Sequence, residues 1–199
     1  MKSGNDTKSA LRATVRALLA GLTPGERQAA SAAACRLLRA QAAWRQAAAV
    51  LVYAPLPDEL DLGPLVAEGL VAGKRIAFPA FDAGLGRYGA WFILDPARDL
   101  VRGRFGIPEP ALDRRQHPAE RVDLILVPGM AFATDGRRLG RGKGFYDRLL
   151  TSVAGPRCGV AFDFQAFEQV PSESHDLGVD WVLTPSRWLT CQPAPGVGS

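Results

Sequence analysis

The segment from Leu124 to Leu150, LILVPGMAFATDGRRLGRGKGFYDRLL, holds the densest set of residues able to do chemistry. An apolar run reaches Pro128-Gly129, passes a polar turn at Asp135-Gly136, and arrives at Gly140-Arg141-Gly142-Lys143-Gly144 directly before a helical pattern. Alternate glycines let a backbone approach a ligand closely, while interspersed Arg and Lys and a following helix N-terminus favour an anion. The spacing predicts a phosphate-binding loop. It is neither of the standard nucleotide loops: a Walker A sequence needs glycine where Arg137 stands and Ser or Thr where Gly144 stands, and Gly140, Gly142 and Gly144 are spaced GxGxG rather than GxGxxG. A basic glycine-rich surface turn has the same composition, so spacing alone indicates phosphate without naming a nucleotide.

The remaining charge agrees with an anionic partner. Lys plus Arg number 24 against 20 Asp plus Glu in 199 residues, for a net +4, and only Lys2, Lys8, Lys74 and Lys143 are lysines. Residues 1 to 45 carry +6, so residues 46 to 199 sum to −2, with a local excess of +3 over residues 135 to 148. Two cationic stretches therefore lie on a mildly acidic body. A hydrophobic content of 47% with 22% charge excludes a disordered tail, a collagenous fibre and a disulfide-stapled miniprotein. No apolar run reaches membrane-span length and the polar start lacks a signal-peptide core, which predicts a cytoplasmic protein with no membrane partner. Cys35, Cys158 and Cys191 lack CxxC spacing and fit buried or free thiols, and two histidines, His117 and His175, are too few and too far apart for a usual zinc site.

These residues need elements to position them. Leu11, Val15, Leu18 and Leu19 recur at helical spacing, predicting a helix from Lys8 to Leu19 that Gly21 ends. Thr23-Pro24-Gly25-Glu26 reads as a capping box with proline at the first helical position, opening a second helix towards Trp44. Short apolar runs follow: strands over Ala49 to Ala54, Arg75 to Pro79, Tyr88 to Leu94, Leu124 to Val127, Arg157 to Phe162 and Trp181 to Leu183, with helices over Leu62 to Ala72 and Phe145 to Ser152. The alternation predicts one α/β domain over residues 1 to 191, a mostly parallel central sheet flanked by helices with an N-terminal helical pair, and a mobile Pro/Gly-rich tail over 192 to 199. Ligand residues then belong at the carboxyl ends of strands.

The run RLGRGKGFYDR from Arg138 to Arg148 resembles the signature of the 5-formyltetrahydrofolate cyclo-ligase (5,10-methenyltetrahydrofolate synthetase) family. Other pieces resemble that family in order: Lys8-Ser9-Ala10-Leu11-Arg12, the segment Tyr53 to Asp61, Phe105-Gly106-Ile107-Pro108-Glu109-Pro110, and Val170-Pro171 through His175-Asp176 to Val179-Asp180 and Thr184-Pro185. The resemblance spans residues 8 to 188 and implies an ATP- and Mg²⁺-dependent closure of 5-formyltetrahydrofolate to 5,10-methenyltetrahydrofolate, releasing ADP and phosphate through a phosphorylated formyl group. It also implies a small-molecule partner, a reduced folate, and no nucleic acid; a monomer is expected.

Residue by residue, the resemblance implies ATP contacts at Lys8, Ser9, Ala10, Leu11 and Arg12 and at Arg138, Leu139, Gly140, Arg141, Gly142, Lys143, Gly144, Phe145 and Tyr146. It implies folate contacts at Ala54, Glu59, Phe105, Arg141, Gly142, Lys143, Gly144 and Phe145, catalytic roles for Lys143, Arg141 and Glu59, and metal association of Asp147 and Asp176. Mg²⁺ suits one or two carboxylates completed by phosphate oxygens and water. Plainer readings stand beside these: a solvated helix face for Lys8 and Arg12, a helix-start acid for Asp147, a turn residue for Asp176, an exposed acidic turn for Asp58 to Asp61, and core for Tyr53 and Tyr146. Phe105 and Gly106 stand where relatives often carry Trp and Asn, and Phe145-Tyr146 replaces Tyr-Tyr, so folate rather than ATP contacts are expected to differ. The competing readings are a cyclo-ligase-like paralogue with an altered substrate and a basic nucleic-acid-binding module; scarce aromatics in the cationic stretches and the acidic remainder oppose the second.

Overall fold

Apolar runs that do not alternate with polar residues must be buried on both faces, and such runs form the centre of the sheet. In the computed structural model, which describes residues 4–84, 86–103, 106–111, 113, 117–173 and 177–192, seven strands make that sheet. The helices are α1 (Gly4–Gly21), α2 (Pro24–Ala40), α3 (Ala42–Gln46), α4 (Gly63–Val71), α5 (Pro96–Asp99) and α6 (Phe145–Leu150). The strands are β1 (Ala49–Leu51), β2 (Arg75–Asp82), β3 (Arg87–Ile93), β4 (Leu100–Arg102), β5 (Pro108–Pro110), β6 (Leu124–Pro128), β7 (Ala131–Ala133), β8 (Arg138–Leu139), β9 (Arg157–Val160), β10 (Ala166–Phe167), β11 (Trp181–Leu183) and β12 (Trp188–Thr190).

The large sheet has the order β12-β11-β9-β6-β1-β2-β3. Its five inner strands are parallel, and β3 and β12 close the two edges antiparallel. Successive residues go to opposite cores, as the strand period of two requires. Val50, Leu124 and Leu126 pack under the helices with Val15, Leu38 and Leu65 on one face, and Leu51, Ile125 and Val127 pack with Leu149, Leu150 and Val153 on the other. The mixed α/β class and the mostly parallel sheet are as the sequence predicts.

Several boundaries differ, each for a local reason. The capping box forms as read, with Thr23 Oγ1 accepting from the Glu26 amide and Glu26 accepting from the Thr23 amide. The helix it opens does not run through to Trp44, because Gln41 takes an extended conformation (ψ 141°) and divides α2 from α3. The first strand stops at Leu51 rather than Ala54, since beyond Val52 the chain leaves the sheet towards the turn that carries Asp58 and Glu59. The strand from Arg75 extends to Asp82 because it pairs along its length with antiparallel β3. The predicted helix over Phe145 to Ser152 ends at Leu150, and β12 and the two-stranded ribbon β4-β5 have no counterpart in the sequence reading. Residues 193 to 199 of the expected tail lie outside the described residues. The three cysteines are free thiols, Cys35 and Cys158 buried and Cys191 half-buried, and no helix among the described residues is long and apolar enough to cross a membrane.

Candidate active site

The strand order reverses between β1 and β6, so the chain after β1 and the chain after β6 diverge and leave a crevice at their carboxyl ends. A cavity of about 530 Å³ occupies that place. Its walls come from Ala54, Leu56 and Glu59 after β1, Pro128 and Gly129 at the end of β6, and the Arg138 to Arg148 segment. Sequence reasoning and topology thus converge on one site.

The loop that carries the basic residues is set up by a hairpin. β8 pairs antiparallel with β7, and Leu139 accepts from the Met130 amide at 2.8 Å, which fixes where Gly140 begins. Gly142 (φ 97°) and Gly144 (φ 59°) adopt left-handed conformations that side-chain-bearing residues resist, so the turn depends on glycine there. Arg12 of α1 donates from Nε to the Gly140 carbonyl at 2.9 Å, and Arg148 donates to the Lys143 carbonyl at 2.8 Å. The loop is therefore tied at both ends. One expectation changes: α6 has only six residues, so its dipole adds little and the anion preference falls to loop amides and side chains.

The predicted basic residues separate into three environments. Arg141 lies between two carboxylates, donating through Nη2 and Nη1 to Asp58 at 2.6 and 3.1 Å and through Nε to Glu59 at 3.2 Å. Glu59 receives the Leu56 amide on its other oxygen at 2.9 Å. Burial raises its pKa above the ordinary glutamate value, opposed by the Leu56 amide and Arg141. Arg138 is almost wholly buried; Nη2 donates to Asp147 at 2.5 Å while its buried Nε has no hydrogen-bond partner among the described residues. Lys8 is buried too, its ammonium 3.1 Å from Glu173, so the solvated-face reading of that residue is overturned. Ser9 and Ala10 are exposed on α1, and Leu11 packs into the core. Lys143 is exposed on the loop and borders the cavity.

The wall beside the loop is aromatic, its neighbouring rings tilted by 55°. Tyr88, from antiparallel β3, has its ring 4.1 Å from that of Phe145, which lies 5.1 Å from Tyr146, and Pro79 and Pro128 complete the surface. Such a wall accepts an aromatic ring system, and the cationic loop beside it accepts an anion. Tyr53 faces the core instead, its hydroxyl donating to the Leu60 carbonyl at 2.6 Å, so its plainer reading holds. Phe105 and Asp176 lie outside the described residues. Asp147 borders the cavity with one oxygen bound by Arg138, and among the described residues no three His, Cys, Asp or Glu gather into a metal cluster. Two residues that matter here carried no role in the sequence reading. Asp58 stands 83 positions from Arg141, and Tyr88 arrives on an edge strand; neither has a spacing signal that could have found it.

Comparisons with known proteins give the chain's relatives and the likeness of its fold. A family model described as the 5-formyltetrahydrofolate cyclo-ligase family matches residues 4–185. The chain is 34% identical over 170 residues to a 5-formyltetrahydrofolate cyclo-ligase of Escherichia coli strain K12, covering 83% of this chain and 93% of that protein. It is 36% identical over 148 residues to one from Mycolicibacterium smegmatis, covering 70% and 75%. Among solved structures, the 5,10-methenyltetrahydrofolate synthetase of Aquifex aeolicus superposes with a TM-score of 0.82 at 33% identity, covering 96% of each chain.

Proposed function

The chain belongs to the 5-formyltetrahydrofolate cyclo-ligase family, and from that premise we propose how its residues carry out the ATP-dependent conversion of 5-formyltetrahydrofolate to 5,10-methenyltetrahydrofolate. The observation that carries the reading is that the Gly140 to Gly144 loop and the half-buried Glu59 line one cavity and are joined there through Arg141. The apolar wall of Tyr88, Phe145 and Tyr146 takes the pterin, Glu59 accepts a hydrogen bond from it, and the loop holds the triphosphate. The formyl oxygen attacks the γ-phosphorus and the bond to ADP breaks. N10 then attacks the formyl carbon, the carbon–oxygen bond breaks, and phosphate departs with the N10 proton. A formyl amide oxygen is a poor leaving group, so phosphorylation gives the second step a good one. What the protein contributes is alignment and charge: Lys143 and the loop amides stabilise the transferring phosphoryl, and Arg141, held by Asp58, borders both ligands.

Mg²⁺ fits the donors present, since Asp147 offers a hard oxygen ligand at the cavity edge and phosphate oxygens and water supply the rest. Asp147 and Asp176 would hold it, and when bound it neutralises triphosphate charge. Purified protein given 5-formyltetrahydrofolate, Mg²⁺ and ATP is expected to produce the methenyl chromophore with one ADP per product, and none when ATP is omitted. No absorbance change at high enzyme concentration overturns the reading.

Asp58 is a positioning residue in this scheme, since it supplies two of the hydrogen bonds that aim Arg141. Asp58→Asn keeps the shape but removes the charge, and is expected to lower kcat/KM for the folate about tenfold, the worth of one charge-assisted hydrogen bond. Asp58→Glu should recover part of the loss. A kcat/KM within twofold of wild type in Asp58→Asn removes the role.

A further inference from the structure

A second cavity, of about 850 Å³, adjoins the first and shares Leu56, Glu59 and Ile107 with it. It runs between α2 and the β4-β5 ribbon and is cationic, bordered by Arg27, Arg36, Arg39 and Arg102 against Glu59 and Asp61. The four guanidinium groups are not equivalent. Arg27 is spent on the carbonyls of Pro57, Leu19 and Leu22, and Arg39 forms a two-pronged pair with Glu68 at 2.6 and 2.9 Å. Arg36 and Arg102 are exposed, and among the described residues neither has an ion-pair or hydrogen-bond partner. The acids are already occupied: Glu59 by Arg141 and the Leu56 amide, Asp61 by the Gly63 amide at 2.7 Å.

Resting on the folate reading above, we propose that this groove is the subsite for the p-aminobenzoylglutamate arm of the substrate, with Arg36 and Arg102 receiving its α- and γ-carboxylates. The placement follows from the first cavity. With the pterin against Tyr88 and Phe145 and the reacting N5 and N10 facing the loop, the arm that starts at N10 has to leave the cavity. Leu56, Glu59 and Ile107 line both cavities, so the groove is the neighbouring space that the arm would enter. Pro55, Pro57, Pro64 and Pro108 give it apolar lining suited to a benzoyl ring. A triphosphate in the groove would have its terminal phosphorus separated from the loop by the pterin pocket, which argues for the arm as the occupant.

The test is steady-state kinetics on Arg36→Ala, Arg102→Ala and the double variant. Each exposed carboxylate contact is worth about three- to fivefold in KM, so the double variant should raise the folate KM about tenfold or more. Its kcat and ATP KM should stay at wild-type values. Raising the ionic strength should increase the wild-type folate KM and affect the double variant less. Free p-aminobenzoylglutamate should compete with folate on the wild type, p-aminobenzoate should compete far more weakly, and the double variant should not distinguish them. An ATP KM that rises instead assigns the groove to the nucleotide and overturns the proposal, as does a folate KM unmoved by both substitutions. A wild type that forms no chromophore overturns the folate reading itself, a result separate from either of these.

Discussion

Lys143→Ala is expected to lower kcat by about 10²- to 10³-fold, because a preorganised cation beside a transferring phosphoryl acts on charge that is redistributed in the transition state. In the proposed scheme Lys143 has this task because it is exposed on the glycine loop at the cavity border. Arg148 donates to the Lys143 carbonyl and helps hold the loop. Lys143 rides between Gly142 and Gly144, whose left-handed conformations give the turn its shape, and it borders the cavity. The folate KM should move little, since the ammonium is assigned to phosphate rather than pterin. Rapid-quench measurement of ADP formation checks the step: the burst of ADP should slow with kcat. A variant that forms ADP at the wild-type rate while product formation falls would place Lys143 in ring closure, and unchanged turnover would take it out of the mechanism.

The parts of this site legible from sequence are those encoded locally. The Thr23–Glu26 capping box forms because both partners lie within one turn, and the glycine pattern at Gly140 to Gly144 announces a tight turn because few other residues tolerate the conformations at Gly142 and Gly144. The continuous apolar runs that make β1 and β6 reveal burial on both faces, from which the parallel sheet and the crevice at its carboxyl edge follow. What composition and spacing leave out is pairing across long separations. Arg141 meets Glu59 over 82 positions and Arg12 meets the Gly140 carbonyl over 128, and only the sheet order brings those segments together. Tyr53 belongs with the core, as its plainer reading has it, and the bond its hydroxyl donates to the Leu60 carbonyl is a contact that residue type and spacing do not announce.

The pH dependence of kcat/KM for the folate should report Glu59. Burial disfavours its charged form and raises its pKa above the ordinary glutamate value, whereas the Leu56 amide and the Arg141 guanidinium favour the carboxylate and limit the rise. The carboxylate is the form that accepts a hydrogen bond from the pterin, so activity should fall as pH drops through this raised pKa. The acid limb therefore begins at a higher pH than an exposed glutamate would give. Glu59→Gln should abolish that limb and cost about 10²-fold in kcat/KM, the scale of losing a charged hydrogen-bond partner in a site built around it. Arg141→Met supplies the sign. Removing the cation that stabilises the carboxylate pushes the Glu59 pKa further up, so the acid limb of this variant should lie at higher pH than that of wild type, on top of a lower plateau. Loss of phosphate contact alone would lower the plateau without moving the limb, so the displacement separates Arg141's action on Glu59 from its action on the nucleotide. An acid limb at the same pH in wild type, Glu59→Gln and Arg141→Met would assign the titration to another group and leave Glu59 without the role its burial and its partners give it.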